Sequence, residues 1–544
     1  MSKRRRNKNA KTAVGAPEPC RRLPSAFRVD YPRACKLAAE GNYREARRVY
    51  ARIANSTIDP HEKALLVNDQ ATLDWIEGKS DDARRGWQNA LTLDPQCKPA
   101  QQNLSSLNGA KGKAPQSFAP AKATGENDRQ ATPERIKVAI VSFLFNWPST
   151  GGGIVHTVEL CQFLARAGYE VRHFYVRYPE WEIGDVQGAP LDSVVLDFSD
   201  AEWNVGTIQA KLRRAVDEFG PDHVIIMDAW NMKPHLAAAL RGYATWIRLQ
   251  ALELLCPLNN IRLLMESPDS FRQCPKHQLG TPAACGHCLQ ERAHHSGQLH
   301  QLERQLAGVG TPGYHETLLR ALEEAEGVLV LNPFTEMMVS PYARRVVVAP
   351  WGMDPDRFPW PEPVTSEPQP KVTTIFQAGV VDEPMKGFRI LHEACDRLWR
   401  TRKDFRLAAT DSPTGQVDAF TEFVGWKSQS ELPAVYKVAD IVVVPTIAQE
   451  GLSRTSVEAM AAGRPVIASR IGGLPFTVAD GATGLLCEPG NVDDLAAKLS
   501  TLLDDQSLRR QMGLAGRKRF ESEFAWPVVI ERHYRPLLSK VKRA

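Results

Sequence analysis

Hydrophobic and polar positions alternate differently in two parts of the chain. From about residue 29 to 110, apolar residues recur at helical spacing and strand-like runs are rare. From residue 135 to about 515, short apolar runs such as VAIV, VIIM and IVVV alternate with amphipathic stretches of helical length. Strands that alternate with helices form parallel sheets covered by helices, so the second part predicts an α/β architecture.

The α/β part is too long for one sheet, so we expect two Rossmann-like domains with a break where prolines crowd. The stretch between the helical and α/β parts is rich in Gly, Ala, Pro and Lys without periodicity, as linkers are. The predicted order is a disordered basic tail (1–28), a helical module (29–110), a linker (111–134), a first α/β domain (135–350), an interdomain linker (351–371), a second α/β domain (372–515) and a crossover helix with a basic end (516–544).

Two segments of the helical module are alike. AAEGNYREARRVYARI and WIEGKSDDARRGWQNAL place Gly41 and Gly78 at the same position, 37 residues apart. This spacing and the small-residue and aromatic positions resemble tetratricopeptide repeats, which stack helix pairs. An array of only two repeats is short, so we expect the module to be stabilised by packing on the rest of the chain. Binding of a protein partner is one interpretation of its role.

Charge and composition exclude several classes of function. Lys plus Arg is 68 and Asp plus Glu is 63, but six bases lie in the first twelve residues, which leaves 62 against 63 elsewhere. A nearly neutral body argues against a broad nucleic-acid-binding surface. No apolar run approaches the ~18 residues of a membrane span, and we expect no secretory signal. We therefore expect a cytoplasmic protein; peripheral contact of the basic end with the inner face of the membrane is the alternative.

A glycine-rich turn follows the first strand of the α/β part. Gly151, Gly152 and Gly153 let the backbone approach a bulky ligand, and the helix that starts there presents free N–H groups suited to phosphate. The alternative is an ordinary tight turn. His156, one turn into the helix, either faces the cleft or is a satisfied surface histidine.

A second candidate site follows the strand at 441–445. Glu450 lies in the loop and Glu458 in the next helix, eight residues on. Carboxylates accept hydrogen bonds from sugar or ribose hydroxyls, and the amides at the helix start suit phosphate. The alternative is a capping acid and a surface acid. The candidate donor-binding residues of this stretch are Glu450, Gly451, Leu452, Ser453, Arg454 and Glu458.

The full stretch EGLSRTSVEAMAAGRPVIAS, with GGLPFTVADGATGLL after it, resembles the donor-binding signature of group 1, glycogen-synthase-like retaining glycosyltransferases of the GT-B fold. The resemblance extends to AGVVDEPMKGFRILHEA and to VVVAPWGMDPDRF. It implies a nucleotide-sugar donor on the second α/β domain, an acceptor on the first, and transfer with retention of configuration. It also implies no catalytic metal or other cofactor.

The resemblance assigns roles to individual residues. Glu450 contacts the transferred sugar and Glu458 binds the ribose, while Lys386 neutralises the leaving diphosphate. The glycine turn lies against that diphosphate, and the segment from Val424 to Trp426 lines the base.

Two positions depart from the family pattern. Val380 stands where an arginine often follows the glycine before the lysine, and Arg454 is our candidate for the missing charge. QALELLCP stands where a common subgroup has HDYWFLCP, so Gln250 replaces a histidine near the reacting sugar. Either the neutral amide of Gln250 serves there or His156 takes over the role.

Four cysteines gather within 33 residues, in the spacing C-x17-C-x10-C-x2-C. Such a set suits a structural zinc ion held by four sulfurs; redox-labile disulfides and unligated thiols are the alternatives. The insertion that carries them (256–288) is expected to shape the mouth of the acceptor site. The cysteines are Cys256, Cys274, Cys285 and Cys288.

The resemblance favours a glycan or lipid-linked glycan as acceptor. The alternatives are a catalytically degenerate scaffold, which Val380 and Gln250 favour, and a protein glycosyltransferase that recruits polypeptide through the repeats. A scaffold would not hydrolyse a nucleotide sugar.

Overall fold

The computed structural model describes most of the chain from residue 43 to residue 540. The described residues are 34, 43–54, 60–76, 79–97, 100–101, 103–104, 135–149, 151–267, 270–292, 296–359, 372–410 and 415–540. The predicted basic tail (1–28) and linker (111–134) lie outside them, as do residues 360–371 of the predicted interdomain linker. Residues 1–130 and 131–544 form two compact units.

The first unit is helical in its described residues. Its helices are α1 (Tyr43–Ala54), α2 (Pro60–Ile76) and α3 (Ser80–Leu93). Helices α2 and α3 pack closely because small residues meet where they cross: a Cβ added at Gly86 would lie 2.5 Å from Cβ of Ala71. Trp87 is buried beside this crossing. The assignment to tetratricopeptide repeats stays a prediction.

The first sheet of the second unit has seven parallel strands in the order β3-β2-β1-β4-β5-β8-β9. Strands β6 and β7 form a separate antiparallel hairpin. The strands are β1 (Lys137–Ser142), β2 (Glu170–Arg177), β3 (Ser193–Asp197), β4 (His223–Ile226), β5 (Ala244–Arg248), β6 (Leu263–Ser267), β7 (Ser270–Gln273), β8 (Gly327–Val330) and β9 (Val346–Val348). The helices are α4 (Gly152–Arg166), α5 (Val205–Phe219), α6 (Lys233–Ala239), α7 (Pro282–Arg292), α8 (Gln298–Ala307), α9 (Pro312–Glu324) and α10 (Pro333–Val339).

The second sheet also has seven strands, in the order β12-β13-β11-β10-β14-β15-β16. All neighbours are parallel except β12 and β13. The strands are β10 (Thr373–Gln377), β11 (Phe405–Ala409), β12 (Gly415–Gln416), β13 (Thr421–Phe423), β14 (Ile441–Val444), β15 (Val466–Ser469) and β16 (Gly484–Cys487). The helices are α11 (Phe388–Trp399), α12 (Leu432–Val438), α13 (Arg454–Ala461), α14 (Leu474–Thr477), α15 (Val492–Asp504), α16 (Gln506–Arg519) and α17 (Trp526–Val529).

The central strands explain the cores. Strands β4, β8, β14 and β15 are buried at every position, as strands covered on both faces must be. The two doubly wound sheets confirm the predicted α/β class. The strand order reverses between β1 and β4 in the first sheet and between β10 and β14 in the second. Open α/β sheets bind ligands outside the carboxyl ends of the strands at such reversals.

The end of the chain packs on the first sheet. Trp526, Ile530 and Tyr534 are buried in one cluster with Ile140 of β1 and Leu160 of α4. This segment therefore ties the second sheet's last helices to the first domain. No helix among the described residues is long and apolar enough to cross a membrane.

Candidate active site

A cleft of about 510 Å³ opens where the carboxyl ends of the two sheets face each other. The loops after β1, β5, β10 and β14 contribute to its walls, so the cleft includes the reversal points of both sheets. The ionisable side chains that line it are Glu383, Lys386, Lys427, Glu450, Arg454 and Glu458.

The glycine turn forms one wall. Gly151 and Gly152 line the cleft, and the N–H of Gly151 donates to Oγ of Ser149 at 3.0 Å. A Cβ at Gly152 would lie 3.4 Å from the Trp351 ring, so a side chain there would crowd the cleft wall. Gly153 faces inward instead: a Cβ there would lie 3.2 Å from Oδ1 of the buried Asp228.

Lys386 and Glu450 face each other across the second domain's part of the cleft. The ammonium Nζ of Lys386 donates to Oε1 of Glu450 at 3.0 Å. Lys386 ends a short turn after β10, and Glu450 lies in the loop after β14, the adjacent strand. The nearby carboxylate of Glu450 raises the pKa of Lys386, so the lysine is firmly charged.

Close backbone packing positions the loop of Glu450. The N–H of Gly473 donates to the carbonyl of Glu450 at 2.8 Å. A Cβ at Gly472 would lie 2.6 Å from that carbonyl oxygen, and one at Gly473 would collide with the carbonyl of Gly451. Two glycines are therefore required for the turn after β15 to support this loop.

Glu458 lies at the cleft floor with both carboxylate oxygens already bonded. Tyr436 Oη donates to Oε2 at 2.9 Å, and Nε of Arg454 donates to Oε1 at 3.2 Å. The side chain is only 4% exposed. Contact with a ribose would therefore use lone pairs that these two partners leave free.

Arg454 connects the two domains. One guanidinium nitrogen donates to Glu159 of α4 at 2.8 Å, and the same carboxylate accepts from Nε1 of Trp526 at 2.9 Å. Burial alone would lower the pKa of Arg454, but the carboxylates of Glu159 and Glu458 outweigh it and the pKa is raised. No local pattern marks Glu159, because Arg454 and Trp526 lie 295 and 367 residues away in the chain.

Gln250 lines the cleft, but its amide is engaged within the protein. Its Oε1 accepts from Nε1 of Trp351 at 2.9 Å, and its Nε2 donates toward the carbonyl of Gly153 at 3.3 Å and Oγ1 of Thr157 at 3.4 Å. These bonds connect the glycine turn to the loop after β5, and the predicted catalytic role of Gln250 stays a prediction.

His156, unlike Gln250, does not line the cleft. It is fully buried and stacks between Trp351 and Trp526, with ring centroids 5.6 and 5.0 Å away. Burial, with the charges of Arg248 and Arg454, holds the pKa of His156 well below its usual range. The alternative of a satisfied surface histidine is wrong, because His156 is fully buried and neither ring nitrogen has a hydrogen-bond partner; the catalytic role of His156 stays a prediction.

The remaining predicted donor residues divide into two groups. Trp426 lines the cleft with half of its surface exposed, whereas Val424 packs against the core of the second domain. Val380 lines the cleft and brings no charge. The other residues that line it as predicted are Gly451, Leu452 and Ser453.

The four clustered cysteines lie apart from this cleft, around a second cavity of about 240 Å³. Burial raises the pKa of Cys285 to about 11, which keeps it a thiol. Among the described residues, no three His, Cys, Asp or Glu side chains are grouped so as to hold a metal ion. The structure thus brings the four thiols to one cavity, and the structural zinc ion stays a prediction.

Two buried acids beside the cleft were not predicted from the sequence. Asp228, after β4, accepts from Oγ1 of Thr157 at 2.6 Å, and burial raises its pKa. Glu253 accepts from the backbone N–H of Gln250 at 2.9 Å and pairs with the buried Lys233 at 3.0 Å. An acid directly after a buried strand was the available signal for Asp228.

Comparison with known proteins gives a family match for the second domain. Residues 366–519 match the family model of glycosyl transferases group 1. The MMP alpha-(1->4)-mannosyltransferase of Mycolicibacterium hassiacum is 34% identical over 207 residues, which are 36% of this chain and 48% of that protein. The glycogen synthase of Mycobacterium tuberculosis is 31% identical over 210 residues, 37% of this chain and 50% of that protein. The chain spans about half the length of these curated relatives, or less.

Solved structures resemble a longer part of the chain. Anabaena HepE in complex with UDP aligns with a TM-score of 0.51 and 14% identity, over 74% of this chain and 99% of that protein. Sucrose-phosphate synthase from Thermosynechococcus elongatus aligns with a TM-score of 0.50 and 19% identity, over 74% and 99%. At these identities the likeness shows the fold, which is GT-B. The chain therefore has the GT-B fold of two Rossmann-like domains, and its residues 366–519 match the family model of glycosyl transferases group 1.

Proposed function

We propose that this chain transfers a sugar from a nucleotide-sugar donor to a glycan or lipid-linked glycan, with retention of anomeric configuration. The observation that carries the proposal is the pairing of Lys386 with Glu450 at 3.0 Å, beside the strand reversal of the second sheet. A cation for a diphosphate and a carboxylate for a sugar thereby meet where α/β sheets bind nucleotides.

The donor occupies the cleft with its nucleotide on the second domain. Ribose binds beside Glu458, and Trp426 provides an apolar edge for the base. The crystal structures of Anabaena HepE hold UDP and UDP-glucose, which supports a nucleotide sugar as the ligand class.

Lys386 and Arg454 neutralise the leaving diphosphate. Both line the cleft and both carry raised pKa values, so both are cationic at neutral pH. Arg454 replaces the charge that Val380 does not bring. The guanidinium of Arg454 forms ion pairs with Glu159 and Glu458 in this structure. A donor phosphate therefore competes with Glu159 for the guanidinium of Arg454.

Retention follows from attack and departure on one face of the sugar. The acceptor oxygen bonds to the anomeric carbon while the bond from that carbon to the phosphate oxygen breaks. The leaving phosphate takes the acceptor's proton, and Glu450 orients the sugar while Lys386 stabilises the developing negative charge.

The test is nucleotide release from UDP-glucose, GDP-mannose and ADP-glucose without acceptor, followed by NMR of the released sugar. We expect one donor to be hydrolysed, with the donor's anomer appearing first. Lys386→Met should lower the rate about 100-fold, since one preorganised charge has this order of effect. Lys498→Met, which removes a lysine near Asp494 on helix α15, is the matched control. No hydrolysis of any donor, or the inverted anomer, would contradict the proposal.

A further inference from the structure

The insertion that carries the clustered cysteines (256–288) reaches the loop of Glu450 in the other domain. Nη1 of Arg262 donates to Oε1 of Gln449 at 3.1 Å, and Gln449 directly precedes Glu450. Nε2 of Gln273 donates to the carbonyl of Ile447. Both donors lie at the open end of the β6–β7 hairpin, where Leu263 pairs with Gln273.

The same loop is held from its other side by the turn that carries Lys386. Oγ1 of Thr446 and the N–H of Ile447 both donate to the carbonyl of Met385, each at 2.9 Å. The loop is thus hydrogen-bonded on one side to the Lys386 turn of its own domain and on the other side to the β6–β7 hairpin region of the first domain. These supports converge within five residues of Glu450.

Arg262 is anchored as a rigid donor. It is 4% exposed, its Nε donates to the carbonyl of Lys276 at 3.1 Å, and its own carbonyl accepts from the N–H of Cys274 at 2.8 Å. Its φ of +53° is a conformation that residues other than glycine rarely adopt. Backbone strain of this kind persists only where surrounding contacts over-determine it.

We propose that Arg262 and Gln273 are positioning residues that hold the 446–450 loop so that Glu450 faces Lys386. The inference rests on the proposed role of Glu450. Because the two donors belong to the first α/β domain, their hydrogen bonds to the loop exist only while the two domains are in contact as in this structure. The insertion thereby couples closure of the cleft to the geometry of the reacting sugar.

The first test needs no substrate. Hydrogen exchange of the amides at 446–451 is compared in wild type, Arg262→Met and Gln449→Ala, which remove the same hydrogen bond from opposite sides. Arg272→Met is the matched control, since Arg272 lies on the same hairpin and pairs with the exposed Glu266. We expect these amides to exchange about 10-fold faster in Arg262→Met and Gln449→Ala than in wild type, because a charge-assisted hydrogen bond is lost. In Arg272→Met the exchange should be unchanged. Equal exchange in all four proteins would overturn the inference.

The second test is turnover of UDP-glucose, or of whichever donor wild type hydrolyses. Arg262→Met should lower kcat about 10-fold with little change in KM or in UDP affinity, and should add nothing in a Glu450→Gln background. If Glu450→Gln turns over like wild type, the proposed function fails. If Glu450→Gln is inactive while Arg262→Met matches Arg272→Met, the positioning inference fails.

Discussion

At the scale of single residues, burial decides which ionisable groups can act. Lys386 and Glu450 lie at the cleft with part of each side chain exposed, so a ligand can reach them. His156 and Asp228 are buried and do not line the cleft. Residue type alone could not separate these two groups, because exposure depends on partners distant in sequence.

His173 gives a prediction for stability against pH. It is buried on β2 between Oγ of Ser142 at 3.0 Å and Oγ of Ser193 at 3.3 Å, and burial lowers its pKa to about 3. In the unfolded chain His173 is protonated as the pH falls below about 6.5, whereas in the folded chain it stays neutral until the pH approaches 3. Stability is therefore full above pH 6.5 and falls as the pH drops toward 3.

We expect His173 to contribute about 2 kcal/mol to the loss of stability between pH 7 and pH 5. Denaturant unfolding of His173→Gln should show a smaller loss over this range than wild type. The exposed His287, which pairs with Glu291, provides the control His287→Gln. A pH dependence that is the same in wild type and His173→Gln would refute the assignment.

At the scale of elements, the turn after β10 and the loop after β14 must fit tightly. Gly387, with φ of +73°, ends the turn that carries Lys386, and a Cβ there would collide with the carbonyl of Pro445. Gly481 has φ of +75° and open space around its Cβ position. Alanine at Gly481 would therefore add only backbone strain, whereas alanine at Gly387 would add the same strain and a collision with Pro445.

Alanine at either glycine should cost about 1–2 kcal/mol through the left-handed backbone, visible as a lower Tm. Gly387→Ala should in addition separate the Lys386 turn from the Glu450 loop and reduce nucleotide release at least about 10-fold. Gly481→Ala should keep wild-type release. Equal activities of the two variants would show that the contact with Pro445 does not set the site.

Elements were more predictable than their contacts. The apolar runs at 138–141, 224–227 and 441–444 identified central strands because strands buried on both faces are continuously apolar. The residues Glu450 to Glu458 were recognisable because loop, helix start and both acids lie within nine positions. Glu159, Tyr436 and Arg262 act through distant partners, and no local pattern marks such residues.

At the scale of the whole molecule, the two domains are joined beside the ligand site. Glu159 of the first domain accepts from Arg454 of the second and from Trp526 of the returning C-terminal segment. Arg357, at the interdomain connection, approaches the same carboxylate at 3.5 Å. One buried carboxylate therefore contacts the second domain, the C-terminal segment and the interdomain connection.

Glu159→Gln should destabilise the protein by about 2 kcal/mol, because hydrogen bonds to a buried charge are lost while the shape is kept. Glu324→Gln is the control: Glu324 pairs with Arg241 at the surface, and such pairs contribute about 0–1 kcal/mol. Denaturant unfolding measures both. A loss for Glu159→Gln no larger than for Glu324→Gln would show that the carboxylate does not join the domains.

We propose that this cleft binds a nucleoside diphosphate sugar through Lys386. The decisive test is calorimetric titration with UDP, GDP and ADP into wild type, Lys386→Met and Lys498→Met. We predict that one nucleotide binds wild type and Lys498→Met equally and Lys386→Met at least about 10-fold more weakly, since a charge-assisted contact to phosphate is lost. No binding by any nucleotide, or equal binding by Lys386→Met, would contradict the account.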